Sequence, residues 1–170
     1  ALATIQRGID VAKDGDTLLV YPGLYEEEVD FLGKAITIRG VATKDGIPIL
    51  ENPGDFATSF YHGEGPNSML SNFVIRNSFM GVFLAGSSPS IRNITFLNNN
   101  SGVEAYTSSE PDIINCIFWH SSELDLFQCV ARYSRLDDPH QGEHNITDDP
   151  LFVDAINGDY HLRSQRGRHW

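Results

Sequence analysis

A chain of 170 residues with 41% hydrophobic residues can bury a sizeable core and favours one domain over several. Its formal net charge of −11 excludes nucleic acid and anionic membrane surfaces as natural partners, because nothing in that balance neutralises phosphate. A cation, a neutral sugar or a basic partner suits the sign, and an acidic surface also serves solubility.

Thr4 is an N-cap residue, and Ile5, Ile9 and Ala12 then recur on one face, so a short capping helix is expected over 4–15. Asp14-Gly15-Asp16 ends it. Thr17 to Tyr21 reads as a strand, Pro22-Gly23 as a turn, and Ile36-Thr37-Ile38 as a further strand beyond Gly33-Lys34. Glu26, Glu27 and Glu28 read as a solvated edge. A helix followed by short strands would cover the open end of a stacked sheet, which otherwise exposes apolar core and unpaired backbone.

Residues 41–67 read as a long irregular excursion. The strongest pattern follows it. Asn72-Phe73-Val74-Ile75-Arg76-Asn77 is echoed by Asn93-Ile94-Thr95-Phe96-Leu97-Asn98, and again by Asn115-Cys116-Ile117-Phe118-Trp119-His120, at spacings of 21 and 22. Gly81-Val82 recurs at Gly102-Val103, and Ser88-Pro89-Ser90-Ile91 at Glu110-Pro111-Asp112-Ile113. A leucine-rich repeat has a similar period, but its leucine pattern is absent and no helical segment lies inside the repeats. Short alternating strands with Gly, Ser and Asn corners predict an all-β, right-handed parallel β-helix instead. One domain is expected over 1–170, with the cap helix at 4–15, rungs over 16–128, a closing rung over 129–162 and a tail over 163–170. Phe73, Ile94 and Cys116 should stack inside one sheet, and Val82, Val103 and Leu124 inside another. The corner asparagines, Asn77 and Asn98-Asn99-Asn100, suit left-handed backbone and inter-rung amide contacts.

Alternation across Gly81 to Ala85 turns Phe83 and Ala85 outward. Steps of 21 then predict an outward column of His62, Phe83, Glu104 and Asp125, beside a second of Glu64, Ala85, Tyr106 and Phe127. Carboxylates on neighbouring rungs would stand about 5 Å apart at the backbone. Glu104 and Asp125 so placed could hold Ca²⁺, or serve as acid and nucleophile in glycoside cleavage. Tyr106, Phe83 and Phe127 would offer aromatic faces to a sugar ring. The competing reading is an ordinary exposed sheet face with solvated carboxylates. A second cluster, Asp137, Asp138, His140, Glu143, His144, Asp148 and Asp149, has metal-ligand residue types without a zinc or EF-hand spacing, and a solvated loop is the stronger reading. Cys116 and Cys129 match no zinc or redox motif and read first as free thiols, second as a disulfide. No cofactor fingerprint is evident. No apolar run is long enough to insert in a membrane. No signal-peptide pattern heads the sequence, which starts inside a structural pattern, as it would after a leader is removed or omitted.

The stretch Thr4 to Gly40, TIQRGIDVAKDGDTLLVYPGLYEEEVDFLGKAITIRG, resembles the N-terminal cap and first rung of pectin-lyase-like right-handed β-helix proteins. The stretch Tyr133 to Leu162, with Asp149-Pro150-Leu151-Phe152-Val153 and Gly158-Asp159-Tyr160-His161-Leu162, resembles the closing rung of bacterial β-helix-repeat proteins. The resemblance implies fold more than function. The family holds polysaccharide lyases, glycoside hydrolases, epimerases and many proteins without known activity, and its enzymes are usually longer. It implies a secreted or periplasmic setting, and a chain that is truncated after Arg168-His169-Trp170 or naturally minimal. No catalytic motif of the lyases or polygalacturonase-like hydrolases is matched. The sequence therefore reads as a small β-helix that binds a ligand on its lateral face, with polysaccharide or oligosaccharide the favoured class, rather than an enzyme. His62, Phe83, Glu104, Tyr106, Asp125 and Phe127 are the candidate binding residues. The alternatives are a polysaccharide lyase or glycoside hydrolase using Glu104 and Asp125, and a scaffold that self-associates through its exposed end rung.

Overall fold

The structure is a computed structural model and describes residues 3–155 and 158–163. Residues 164–170, which hold most of the expected tail, lie outside the described residues. The chain forms a parallel β-solenoid of about five turns behind one short helix, α1 (Ile5–Val11). Each full turn contributes one strand to each of three sheets. Sheet A orders β1 (Thr17–Val20), β4 (Thr37–Gly40), β7 (Met69–Ser71), β10 (Ser90–Arg92), β13 (Asp112–Ile114), β16 (Ala131–Arg132) and β17 (Gly142–Glu143). Sheet B is built from β2 (Leu24–Glu26), β5 (Ile49–Glu51), β8 (Val74–Arg76), β11 (Thr95–Leu97) and β14 (Ile117–Trp119). Sheet C is built from β3 (Val29–Asp30), β6 (Phe56–Phe60), β9 (Met80–Ala85), β12 (Ser101–Tyr106) and β15 (Leu124–Phe127).

The strands are three to six residues long where the repeat is regular. Such strands survive because the rung on either side completes their hydrogen bonds and covers their side chains. Inward columns run the length of the molecule. Sheet A stacks Leu18, Ile38, Leu70, Ile91, Ile113 and Ala131. Sheet B stacks Leu50, Ile75, Phe96 and Phe118, the last two rings lying parallel with centroids 4.5 Å apart. Phe73, Ile94 and Cys116 form the expected buried set at the corner between these sheets. In sheet C the column is Val29, Thr58, Val82, Val103 and Leu126. Leu126 therefore takes the place expected for Leu124, which is 42% exposed.

Corners are made by residues with left-handed backbone. Asn72, Asn93 and Asn115 have φ of 62°, 54° and 54°, and Asn77 and Asn98 have 53° and 52°. Asparagine tolerates this region better than most residues. The first set also forms a ladder: Asn93 Nδ2 donates to Asn72 Oδ1 at 3.1 Å, and Asn115 Nδ2 to Asn93 Oδ1 at 2.6 Å. Asn99 is buried and bridges rungs by accepting from Ser78 N–H and donating to the Ile75 carbonyl.

The stretch 41–67 is a rung, not a continuous excursion. It holds β5 and β6 between two irregular loops, and β6 pairs in register with β9. The C-terminal stretch differs too. Residues 131–146 continue the stack through β16, β17 and isolated bridges at Arg135 and Ile146. Beyond them β18 (Phe152–Asp154) and β19 (Asp159–Leu162) form an antiparallel hairpin, fastened where Arg76 Nη1 donates to the Tyr160 hydroxyl oxygen at 3.1 Å. At the other end, α1 is held by side chains from the first turn. Glu27 accepts from Ile5 and Gln6 N–H, and Lys34 Nζ donates to the Ile9, Asp10 and Ala12 carbonyls. These contacts satisfy both orphan termini of the helix. Glu28 accepts from Ser59 Oγ at 2.7 Å, so the solvated-edge reading holds for exposed Glu26 alone.

Thr58 occupies a valine column, and its buried hydroxyl has no hydrogen-bond partner. Thr58→Val should therefore raise stability by about 1–2 kcal/mol in urea denaturation, because it removes an unsatisfied polar group without changing volume. Both cysteines are free. Burial pushes each thiol from 9.0 up to about 12. A raised folded-state pKa stabilises the fold fully below the unfolded value and loses that stabilisation as pH rises through the folded value. Urea midpoints should fall between pH 9 and 12, and fall less steeply in Cys116→Ala.

Candidate functional site

The outer face of sheet C carries the largest set of aromatic contacts in the solenoid's regular turns. Alternation points Phe83 and Ala85 of β9 outward, as expected, and β12 places Glu104 over Phe83 and Tyr106 over Ala85. One rung earlier Ser59 faces Phe83, and Asp30 faces Ser59. One rung later Phe127 faces Glu104. The outward column is thus Asp30, Ser59, Phe83, Glu104 and Phe127. The neighbouring column continues through Tyr61, Ala85 and Tyr106.

Four rings form a stripe across these rungs. Phe56 and Phe83 stack with centroids 4.5 Å apart and planes within 13°. Phe83 lies 5.7 Å from Tyr106, and Tyr106 lies 5.4 Å from Phe127. All four are partly buried, so each keeps one side against the sheet and part of its ring toward solvent. Glu104 sits among them at 7% exposure. Its Oε2 accepts from the Tyr106 hydroxyl at 2.6 Å. That bond, with burial and the negative charge of Glu104, pushes the Tyr106 phenol above its ordinary value. At the N-terminal end of the stripe Tyr61 repeats the motif, donating to Asp30 Oδ2 at 3.0 Å, and Asp30 raises its phenol in the same way. Two tyrosine–carboxylate pairs therefore flank the Phe83–Ala85 rung.

The expected pairing of Glu104 with Asp125 does not occur. Asp125 stands opposite Gly102, two residues short of the position facing Glu104. The cause is chain length at two corners. Three residues, Asn98 to Asn100, separate β11 from β12, whereas four, His120 to Glu123, separate β14 from β15. The turn before β13 is also one residue longer than that before β10. The carboxylates are engaged separately, Asp125 Oδ2 accepting from Asp137 N–H at 2.7 Å. Asp125 occupies the position of Gly81 and Gly102 in earlier rungs. A Cβ on Gly102 would lie 2.5 Å from the Phe118 ring and 2.4 Å from the Asp125 carbonyl oxygen. At Asp125 both obstacles lift, because β15 ends sheet C and Leu136 follows Phe118 in the sheet B ladder.

His62 and Glu64 leave the columns expected for them. His62 packs on Tyr61 at 4.2 Å and points Nε2 at Asp30, 3.4 Å away. Glu64 is 2% exposed and ties three turns together, accepting from Gly33 N–H, His62 N–H and Ser87 Oγ. Phe127 lies in the column of Phe83 and Glu104 rather than that of Ala85 and Tyr106. Phe56, Tyr61 and Asp30 join the face although the sequence reading passed over them. Alternation with Ser59 signals Tyr61 alone. It would turn Phe56 inward with Thr58 and Phe60, and Phe56 faces outward because the adjacent Ala57 and Thr58 are both buried.

The cluster at 137–149 shapes turns. Asp137 accepts from Arg135 Nη1 at 2.5 Å, Asp138 from His140 N–H, and Asp149 from Leu151 N–H. His144 stacks on Tyr133 with centroids 4.8 Å apart. Among the described residues no group of three or more His, Cys, Asp or Glu is placed to hold a metal ion. Glu104 faces Phe127 and Asp125 stands two residues away in register, so the carboxylate pair expected to hold Ca²⁺ is not formed. No helix among the described residues is long and apolar enough to cross a membrane.

Glu104→Gln removes the main cause of the raised Tyr106 pKa. The phenol should then ionise closer to pH 10 in ultraviolet titration, while Tyr61 keeps its elevated value. No protein-family model matches this chain, and neither does any curated protein or solved structure.

Proposed function

We propose that this β-solenoid binds an oligosaccharide or polysaccharide along the outer face of sheet C. The observation that carries the reading is the stripe Phe56, Phe83, Tyr106 and Phe127, with a tyrosine–carboxylate pair at each side of Phe83. Aromatic faces pack against the C–H faces of sugar rings, while the carboxylates and phenols accept and donate to hydroxyls at the edges. Ala85 adds shape. It is the small residue between Tyr61 and Tyr106, which stand two rungs or about 10 Å apart at the backbone. That gap leaves room for a ring lying over Phe83.

The resemblance to pectin-lyase-like proteins supports the same class of ligand and a secreted or periplasmic setting. Binding is favoured over hydrolysis on geometric grounds. The outward carboxylates of the main column, Asp30 and Glu104, stand three rungs or about 14 Å apart. Inverting glycosidases place their carboxyl groups about 6.5–9.5 Å apart and retaining ones about 5–5.5 Å.

A glycan array followed by calorimetry on the best ligand tests the proposal. Phe83→Ala and Tyr106→Ala should each weaken binding about tenfold, the equivalent of about 1.4 kcal/mol. Ala85→Trp, which fills the gap, should abolish it. Absence of any glycan ligand, or a ligand indifferent to all three substitutions, would overturn the assignment.

A further inference from the structure

We propose that the sugar recognised on sheet C carries a protonated amine, held by the Glu104 carboxylate among Phe83, Tyr106 and Phe127. The inference rests on the glycan-binding reading and narrows it to amino sugars.

The face is negative throughout. No described strand of sheet C contains a lysine or an arginine. The outward column carries Asp30 and Glu104, and Glu28 joins it through the hydrogen bond from Ser59 Oγ. His62 is the one described side chain beside this column able to take up positive charge, and its Nε2 already lies 3.4 Å from Asp30. Glu28 and Glu104 enter no ion pair among the described residues.

Glu104 has the more specific surroundings. In register it stands between Phe83 of the preceding rung and Phe127 of the following one. The Tyr106 ring closes a third side, 5.7 Å from Phe83 and 5.4 Å from Phe127. Oε2 is taken by the Tyr106 hydroxyl, whereas Oε1 has no hydrogen-bond partner and is not sealed from solvent. An anion that is 7% exposed, among three aromatic rings and without a cation, is electrostatically incomplete. A protonated amine completes it with a charge-assisted hydrogen bond to Oε1 and cation–π attraction to the rings.

Other occupants match less of this chemistry. Ca²⁺ takes about six to eight oxygen ligands, more than one carboxylate and one phenol supply. A uronic acid brings like charge onto the face and is repelled. A neutral hydroxyl fills the hydrogen bond and leaves the charge unmatched. Among sugars, an amino sugar combines a ring that packs on the aromatic stripe with a cation for its carboxylate.

Calorimetry in mildly acidic buffer tests the inference with a glucosamine hexasaccharide, its N-acetylated counterpart and a galacturonic acid hexasaccharide. The amine should bind about tenfold more tightly than the N-acetylated sugar, and added salt should narrow the gap. The uronate should not bind. Glu104→Gln keeps an oxygen to accept from Tyr106 and loses the charge. It should abolish the preference while leaving affinity for the N-acetylated sugar within about twofold. Phe127→Leu, which keeps apolar bulk without the ring, should reduce the preference about threefold. Asp30→Asn, at the His62 end, should preserve it. Circular dichroism melts establish that each variant keeps the fold. The inference is overturned if the glucosamine hexasaccharide does not bind. It is overturned equally if the N-acetylated sugar or the uronate binds as well as the amine, a result that leaves glycan binding standing. Retention of the preference in Glu104→Gln, or equally tight binding of an oligolysine of the same charge, also overturns it, since attraction to an acidic chain would then suffice. Failure of all three sugars together with an empty glycan array removes the glycan reading as well.

Discussion

Everything in this molecule depends on one contact, that between a rung and its neighbour. Among the described residues no strand is longer than six residues, and none could persist alone. Parallel pairing supplies hydrogen bonds along the axis, and the same translation brings like side chains into contact. The valine column of sheet C, the Phe96–Phe118 stack and the asparagine ladder are three consequences of this single operation. Because side chains alternate faces, the register that builds the core also dictates what stands outside.

The two ends show what happens where a neighbour is missing. At the N-terminal end α1 lies against the first turn, with Glu27 and Lys34 satisfying its two termini. At the other end the rungs shorten, and the ladder passes from phenylalanine to Leu136. Asp125 stands where glycine was obligatory one rung earlier. Its second oxygen is buried without a partner, a cost confined to the last strand of sheet C.

The fold was legible where the repeat was strict. Echoes between Asn72 and His120 specified the corner asparagines and the Phe73, Ile94 and Cys116 stack because equal spacing and stacking are the same fact. Legibility ended wherever a corner changed length. One extra residue before β13 and one before β15 moved Asp125 away from Glu104 and brought Phe127 over it. An acidic pair became a carboxylate among aromatic rings. Residues 41–67 hid a rung because loops on both sides obscured the period.

The aromatic face of sheet C follows from register, so register is the claim to test first. Backbone NMR on isotopically labelled protein reads it directly through inter-strand NOEs between amide and α protons. The observed stacking predicts NOEs that place Glu104 beside Phe127 and Val103 beside Leu126. NOEs placing Glu104 beside Asp125 would contradict it, dissolve the aromatic stripe as described and restore the paired carboxylates.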